Sequence, residues 1–276
     1  MSRLVQVFLE IMRPGNCLMA SLAALIGLLV ADSGPDPLTA VLAALAVFAV
    51  TGAGNAVNDY FDRDIDAVNR PGRPIPSNRI SPDLALAWSI FLFVLGCLAA
   101  LFVNPIAFAI AVFNSILLYL YARDLKVTPL AGNLAVGYLT GSTFLFGGAA
   151  GGDVGITVFL FLLAFLATLA REIEKDIEDL AGDMASGART LPIVVGEKRS
   201  SLLAAGFVVA AIGLSYLAPL GRAYMVAVTV ADLLFLAALV SIIRGEAPRA
   251  QKMLKAGMAA ALAAFMVAAL AGMGYL

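Results

Sequence analysis

The chain has 276 residues, 62% of them hydrophobic and 13% charged, with a mean hydropathy of +0.95. That composition excludes a water-soluble globular protein and describes a polytopic membrane protein. A formal net charge of −1 predicts no nucleic-acid partner, and the absence of histidine excludes histidine-dependent catalysis and histidine metal sites.

In chain order, residues 1–31 place Arg3 and Arg13 ahead of an apolar run, the outline of a secretory signal. No small-x-small cleavage site follows, so the segment reads as a short amphipathic stretch, Leu4 to Met12, before a retained first span. Apolar runs lie at roughly 16–31, 38–57, 84–103, 105–121, 130–150, 155–171, 200–218, 222–243 and 254–275; most approach the roughly 20 residues that cross a hydrocarbon core. The expectation is one all-α membrane domain over residues 1–276, a bundle of nine transmembrane helices. Connections on one side are short: Asp32–Pro37, Val103–Pro105, Gly151–Gly155 and Pro219–Arg222. With nine spans, only Arg222 among the 18 lysines and arginines falls on that side. The positive-inside rule then puts the amino terminus and the long, charged loops in the cytoplasm and the carboxy terminus outside. Cys17 and Cys97 lie in apolar runs and read as small buried hydrophobes.

Two acid-rich segments sit where apolar runs end. In the first, Asn58, Asp62 and Asp66 recur at i, i+4 and i+8 and line one helix face. In the second, Asp176, Asp179 and Asp183 recur at i, i+3 and i+7 and share a face too. Asp62 and Asp66 are same-sign neighbours, which costs helix stability without a compensating partner. Oxygen-only ligands favour Mg²⁺, and Mg²⁺ usually keeps phosphate oxygens in its shell. The pattern therefore points to a diphosphate held at a membrane surface. Asp59, Asp64, Glu174 and Glu178 lie off the stripes and read as solvated charges of helix ends.

Pro71, Pro74 and Pro76 end the first acidic helix, since proline lacks an N–H and disfavours helix before it. The resulting turn is expected to bring Arg70, Arg73 and Arg79 back over the bundle mouth. Arg70, Arg73, Lys126, Arg171, Lys175 and Arg189 are the cations available to phosphate oxygens there. Topology alone explains Lys198, Arg199, Arg244, Arg249, Lys252 and Lys255. Polar residues within spans, such as Asn16, Asn55, Asn114, Asn133, Tyr138 and Ser142, either line a cavity or bond between helices. Asp232 is an ionisable group inside the eighth run, or near its outer interface. Gly132, Gly137 and Gly141 mark close helix packing.

The halves echo each other. Asp66 is followed by Asn69-Arg70-Pro71-Gly72-Arg73-Pro74-Ile75-Pro76, and Asp183 by Gly187-Ala188-Arg189-Thr190-Leu191-Pro192, each an acidic helix, a glycine-containing break and Arg-x-x-Pro. Four spans separate them, which suggests two four-helix repeats plus a ninth helix about a pseudo-twofold axis.

Asn58-Asp59-x-x-Asp62-x-x-x-Asp66 with its Asn69-to-Pro76 sequel closely resembles the first signature of the UbiA superfamily of intramembrane prenyltransferases. Asp176-x-x-Asp179-x-x-x-Asp183 resembles the second, and Tyr121-Ala122-Arg123-Asp124-Leu125-Lys126 looks like the tyrosine–lysine stretch between spans four and five. The resemblance implies that Asn58, Asp62, Asp66, Asp176, Asp179 and Asp183 hold Mg²⁺ and diphosphate, and that Arg73, Tyr121 and Lys126 hold or activate the diphosphate. Within the superfamily, Arg171 through Asp179 looks most like the archaeal geranylgeranylglycerol-phosphate geranylgeranyltransferases. Leu180 stands where several quinone-pathway members carry a second adjacent aspartate. The implied partners are a prenyl diphosphate donor, a lipid-like phosphate acceptor and membrane lipid, with no obligatory protein partner. A prenyltransferase acting on an aromatic ring is the alternative within the family. A cation-coupled secondary transporter is the alternative outside it, but it predicts ionisable groups mid-span rather than at helix ends.

Overall fold

A computed structural model describes residues 3–32 and 34–275, and among them every regular element is helical. A short helix, α1 (Arg3–Met12), precedes α2 (Pro14–Ala31) and α3 (Pro37–Phe61). A seven-residue helix, α4 (Arg63–Asn69), follows, then α5 (Pro82–Val103) and α6 (Pro105–Arg123). The second half holds α7 (Ala131–Gly151), α8 (Val154–Glu178), α9 (Leu180–Ser186), α10 (Leu191–Val195), α11 (Glu197–Ser215) and α12 (Gly221–Ile243), and α13 (Ala247–Gly272) closes the chain. Eight of these helices are long and apolar enough to cross a membrane. The expected count of nine is not confirmed on that criterion. The remaining long helix, α7, has 21 residues but carries six glycines and four hydroxyl residues, so its mean hydropathy falls below that of its neighbours.

The helix starts follow local chemistry. Proline occupies the first turn of α2, α3, α5, α6 and α13, where its missing N–H leaves no bond unmade. Asp36, Ser81 and Asn104 accept hydrogen bonds from the free N–H groups of α3, α5 and α6. Asn104 also donates to the Ala149 carbonyl at 2.7 Å, tying the α5–α6 turn to the end of α7.

At the centre α2 crosses α7 at near backbone contact. A Cβ added to Gly147 would lie 2.0 Å from the Ala24 carbonyl oxygen, and one added to Gly27 would lie 2.6 Å from the Phe144 carbonyl oxygen. Only glycine fits at either position. Gly141 meets Phe161 as closely, so the glycines of α7 serve packing as their sequence spacing suggests. Around this crossing α3 lies on α5 and α6, α8 lies on α11, and α12 packs on α13. Helix α13 also packs on α8 and α2.

The backbone repeats the echo seen in the sequence. Asp62 (φ −84°, ψ −1°) stands between α3 and α4, and Asp179 (φ −88°, ψ 1°) stands between α8 and α9. Each break is followed by a seven-residue helix. The stripes therefore do not lie on continuous helices as their spacing suggests: each is distorted at its middle carboxylate. Hydrogen bonds still run through the breaks, with Asp66 N–H on the Asp62 carbonyl at 2.7 Å and Asp183 N–H on the Asp179 carbonyl at 3.0 Å.

Candidate active site

The first acidic segment is threaded with cations. Lys126 Nζ lies against Asp62 Oδ1, and Asn58 Nδ2 donates to Asp62 Oδ2 at 2.8 Å. Lys126 reaches this point from a short 3₁₀ turn, Leu125–Val127, that follows α6. Arg73 comes back from the proline-rich loop and donates through one Nη to Asp66 (2.5 Å) and to Asp59 (3.1 Å). Arg13, between α1 and α2, donates to the same Asp59 oxygen at 2.5 Å. The backbone of Arg13 is left-handed (φ 53°), uncommon for a side chain with a Cβ.

Two expectations for the loops need correcting. Asp59 is buried at 5% exposure, not solvated, because Arg13 and Arg73 cover it from distant segments. Glu174 is buried at 1%, packed with Ser201 of α11 rather than facing water. Asp64 and Glu178 are exposed as expected, with Glu178 accepting from Gln251 at 2.7 Å. Arg79 does not reach the mouth. It forms a two-pronged pair with Glu10 of α1 (2.5 and 2.8 Å) and donates to the Gly72 carbonyl, closing the rim of the loop. That pair holds the Glu10 carboxyl below the usual carboxylate range. Arg70 and Arg189 are exposed.

In the second segment, Asn133 Nδ2 of α7 donates to Asp176 Oδ2 at 2.8 Å. Glu172 is buried and pairs with Arg171 at 2.5 Å and Lys175 at 3.5 Å. Asp179 is exposed, and Asp183 is half-buried, its carboxyl pushed up chiefly by burial. Tyr121 joins the two halves, standing within electrostatic reach of Glu172, Asp176 and Asp62. The structure thus brings Asn58, Asp62, Lys126, Tyr121 and Asp176 to one place. Arg13 and Glu172 are site neighbours that the sequence reading did not single out. No spacing signal links Arg13 to Asp59, since 46 positions separate them.

Behind this mouth lies a cavity of about 730 Å³ between the helices. Asn55, Tyr121 and Arg171 line the end nearest the acidic segments, and Val47, Leu139, Leu163 and Val228 line its apolar wall. Ser215, Tyr224 and Asp232 line its far end. Asp232 is thus a cavity residue, buried at 4% and accepting from Ser215 Oγ at 2.9 Å, not an outer-interface charge. Asn114 bonds Ser142 across α6 and α7 while also facing the cavity.

Among the described residues no three acids converge into a protein-only cation cage. The donor set nevertheless fits Mg²⁺, which is usually bound by one or two carboxylates together with substrate phosphates and water. Oxygen ligands stand on both sides of Tyr121, and the cations now resting on Asp62 and Asp66 are of the kind that also bind phosphate.

The pattern of the UbiA prenyltransferase family matches residues 20–266. Digeranylgeranylglyceryl phosphate synthase of Methanothrix thermoacetophila is 54% identical over 94% of this chain and 97% of its own. The synthase of the same description from Methanococcoides burtonii is 50% identical over 96% of this chain and 100% of its own. A solved structure described as digeranylgeranylglyceryl phosphate synthase superposes with a TM-score of 0.89 at 40% identity, covering 98% of this chain and 100% of that one. A UbiA homologue from Archaeoglobus fulgidus, solved with GPP and Mg²⁺, shares the fold with a TM-score of 0.76 at 18% identity, over 97% of this chain and 99% of that one.

Proposed function

The chain belongs to the UbiA prenyltransferase family, and from there we propose that it transfers a geranylgeranyl group from geranylgeranyl diphosphate to the free hydroxyl of geranylgeranylglyceryl phosphate, forming the second ether of an archaeal membrane lipid. The observation that carries this reading is the meeting of Asp62, Lys126, Tyr121 and Asp176 at the mouth of a largely apolar cavity inside a membrane bundle. Relatives described as digeranylgeranylglyceryl phosphate synthase, similar along nearly the whole chain, support the choice of acceptor.

Asn58, Asp62 and Asp66 from the first half, with Asp176, Asp179 and Asp183 from the second, would hold Mg²⁺. When bound, Mg²⁺ supplies positive charge that favours departure of the diphosphate. Lys126 gives a point contact to phosphate oxygens and Arg73 a forked one. The Tyr121 hydroxyl donates to the same group. Arg70, Arg171, Lys175 and Arg189 add positive charge around it. These preorganised donors lower the barrier to ionisation of the allylic C–O bond. The cavity keeps water from the reacting carbon, so once the allylic C–O bond to diphosphate has broken the acceptor hydroxyl oxygen bonds to C1 and the hydroxyl proton passes to the released diphosphate. The whole chain, residues 1–276, acts as one transmembrane domain.

Purified protein with Mg²⁺, labelled geranylgeranyl diphosphate and geranylgeranylglyceryl phosphate tests the assignment. Label should appear in a product resistant to phosphatase release of the prenyl group. Unchanged label that merely crosses a sealed vesicle wall would instead favour the transporter.

The same reading places the mouth in the cytoplasm, with the amino terminus inside and the carboxy terminus outside. In a cysteine-free background, a cysteine introduced at Ser77 should resist an impermeant thiol reagent in intact cells, whereas one introduced at Asp153 should be labelled. The opposite pattern would invert the orientation.

A further inference from the structure

Four cations at the mouth are already engaged, Lys126 on Asp62, Arg73 on Asp59 and Asp66, Arg13 on Asp59, and Arg171 on Glu172, while Arg70 and Arg189 are exposed. One cation is placed differently. Lys255 is eight residues into α13 from Ala247, roughly 12 Å along the helix at 1.5 Å per residue. It lines the cavity beside Met258 and Ala259 of α13, in a wall that also includes Asn16 and Met19 of α2 and Arg171 of α8. Among the described residues no carboxylate lies within ion-pairing distance of it. Arg249, Lys252 and Lys255 recur every three positions and are all exposed, so a cationic stripe on α13 ends at the cavity wall. Asn16, Met19 and Lys255 are themselves exposed, which makes this stretch of wall an edge and not an interior.

Topology explains Arg249 and Lys252, which lie in the first turns of α13. The expectation that topology alone accounts for Lys255 needs correcting, because that lysine lies two turns into α13 and lines the cavity. A cation there needs an anion, and the carboxylates that hold cations at the mouth, Asp59, Asp62, Asp66 and Glu172, are paired with Arg13, Arg73, Lys126, Arg171 and Lys175 rather than with Lys255. We propose that Lys255 binds the phosphate of the acceptor, holding the glycerol hydroxyl toward the reaction centre, with Lys252 guiding the headgroup in along the stripe. This inference rests on the glyceryl phosphate reading above. It separates the two phosphate-bearing substrates: donor diphosphate at Lys126, Arg73 and the carboxylates, acceptor monophosphate at Lys255. The same chemistry would suit the headgroup of an ordinary phospholipid at the cavity edge, and the test separates the two sources.

The measurement is steady-state kinetics of Lys255→Ala and Lys255→Arg with geranylgeranylglyceryl phosphate and with its dephosphorylated counterpart, geranylgeranylglycerol. Loss of one charge-assisted contact predicts a rise of on the order of tenfold or more in acceptor KM for Lys255→Ala. Donor KM should move little, and Lys255→Arg should recover most of the loss. With geranylgeranylglycerol the wild type and Lys255→Ala should react at the same low efficiency, because the contact has no phosphate to serve. An equal penalty on both acceptors, or a penalty on donor KM, would overturn the proposal and leave Lys255 as a headgroup anchor or packing residue. If the wild type ignored the glyceryl phosphate altogether, the acceptor reading itself would fall; an unchanged acceptor KM in an active Lys255→Ala enzyme would overturn this inference alone. Lys252→Ala, on the exposed stripe, gives a second variant should Lys255→Ala fold poorly, and its acceptor KM should rise by a smaller factor that shrinks in high salt.

Discussion

Replacing Asp62 or Asp176 with alanine is expected to slow prenyl transfer by on the order of a hundredfold or more, the size of loss seen when a key electrostatic group leaves an active site. Excess EDTA should abolish the activity and Mg²⁺ or Mn²⁺ restore it. The two aspartates fail for different local reasons. Without Asp62, the Asn58 amide and the Lys126 ammonium both lose their partner. Without Asp176, the Asn133 amide is released and the only second-half carboxylate beside Tyr121 among the described residues is Glu172, which is already paired with Arg171 and Lys175. Asp64→Ala is the control, since Asp64 is exposed and its contact with Arg63 is 3.9 Å long; it should leave activity near the wild-type level. Full turnover in EDTA, or equal losses at Asp62 and Asp64, would remove the metal–diphosphate account.

Arg73→Met is the second large effect, and it should appear first as instability. Arg73 is the shared partner of Asp59 and Asp66, which are 5% and 6% exposed. Removing one partner of a buried ion pair costs about 3–5 kcal/mol, because a charge is left without compensation. For a chain of this size that corresponds to a fall in Tm of very roughly 5–15 °C in detergent. The double change Arg73→Met, Asp66→Asn removes the charge left uncompensated, since Asp59 keeps Arg13, and should recover much of the melting temperature while remaining inactive. Recovery of both stability and turnover would show that Arg73 is only a clamp for the loop. An unshifted melting curve for Arg73→Met would show that the buried pair does not form.

The sequence carried the class of the fold and the places where its chemistry lies. Helix boundaries such as Pro14–Ala31 and Gly221–Ile243 fall within a few residues of the apolar runs, because hydropathy and first-turn prolines act locally. Other features were illegible for equally physical reasons. The spacing of Asn58, Asp62 and Asp66 predicts one helix face, but spacing cannot reveal a break at Asp62 that leaves the hydrogen bonds intact. Asp59 lies off the stripe, and only tertiary packing delivers Arg13 and Arg73 to it. Glu174 is buried because α11 lies over α8, a contact between segments that local pattern does not encode. The glycines that lighten α7 and blur its membrane signal are the same residues that let it cross α2 at backbone distance. The arrest of Arg79 on Glu10 depends on α1 folding back over the loop, which turns a residue expected over the mouth into a rim contact.

The central claim is transfer to the hydroxyl of a glyceryl phosphate, and a competition assay tests it most directly. Purified protein would receive Mg²⁺, labelled geranylgeranyl diphosphate, and equal concentrations of geranylgeranylglyceryl phosphate and 4-hydroxybenzoate, with products resolved by mass spectrometry. The account predicts that the label accumulates in the glyceryl phosphate as one added geranylgeranyl ether, with one diphosphate released per ether formed. Label in the aromatic ring, with the glyceryl phosphate recovered unchanged, would contradict it.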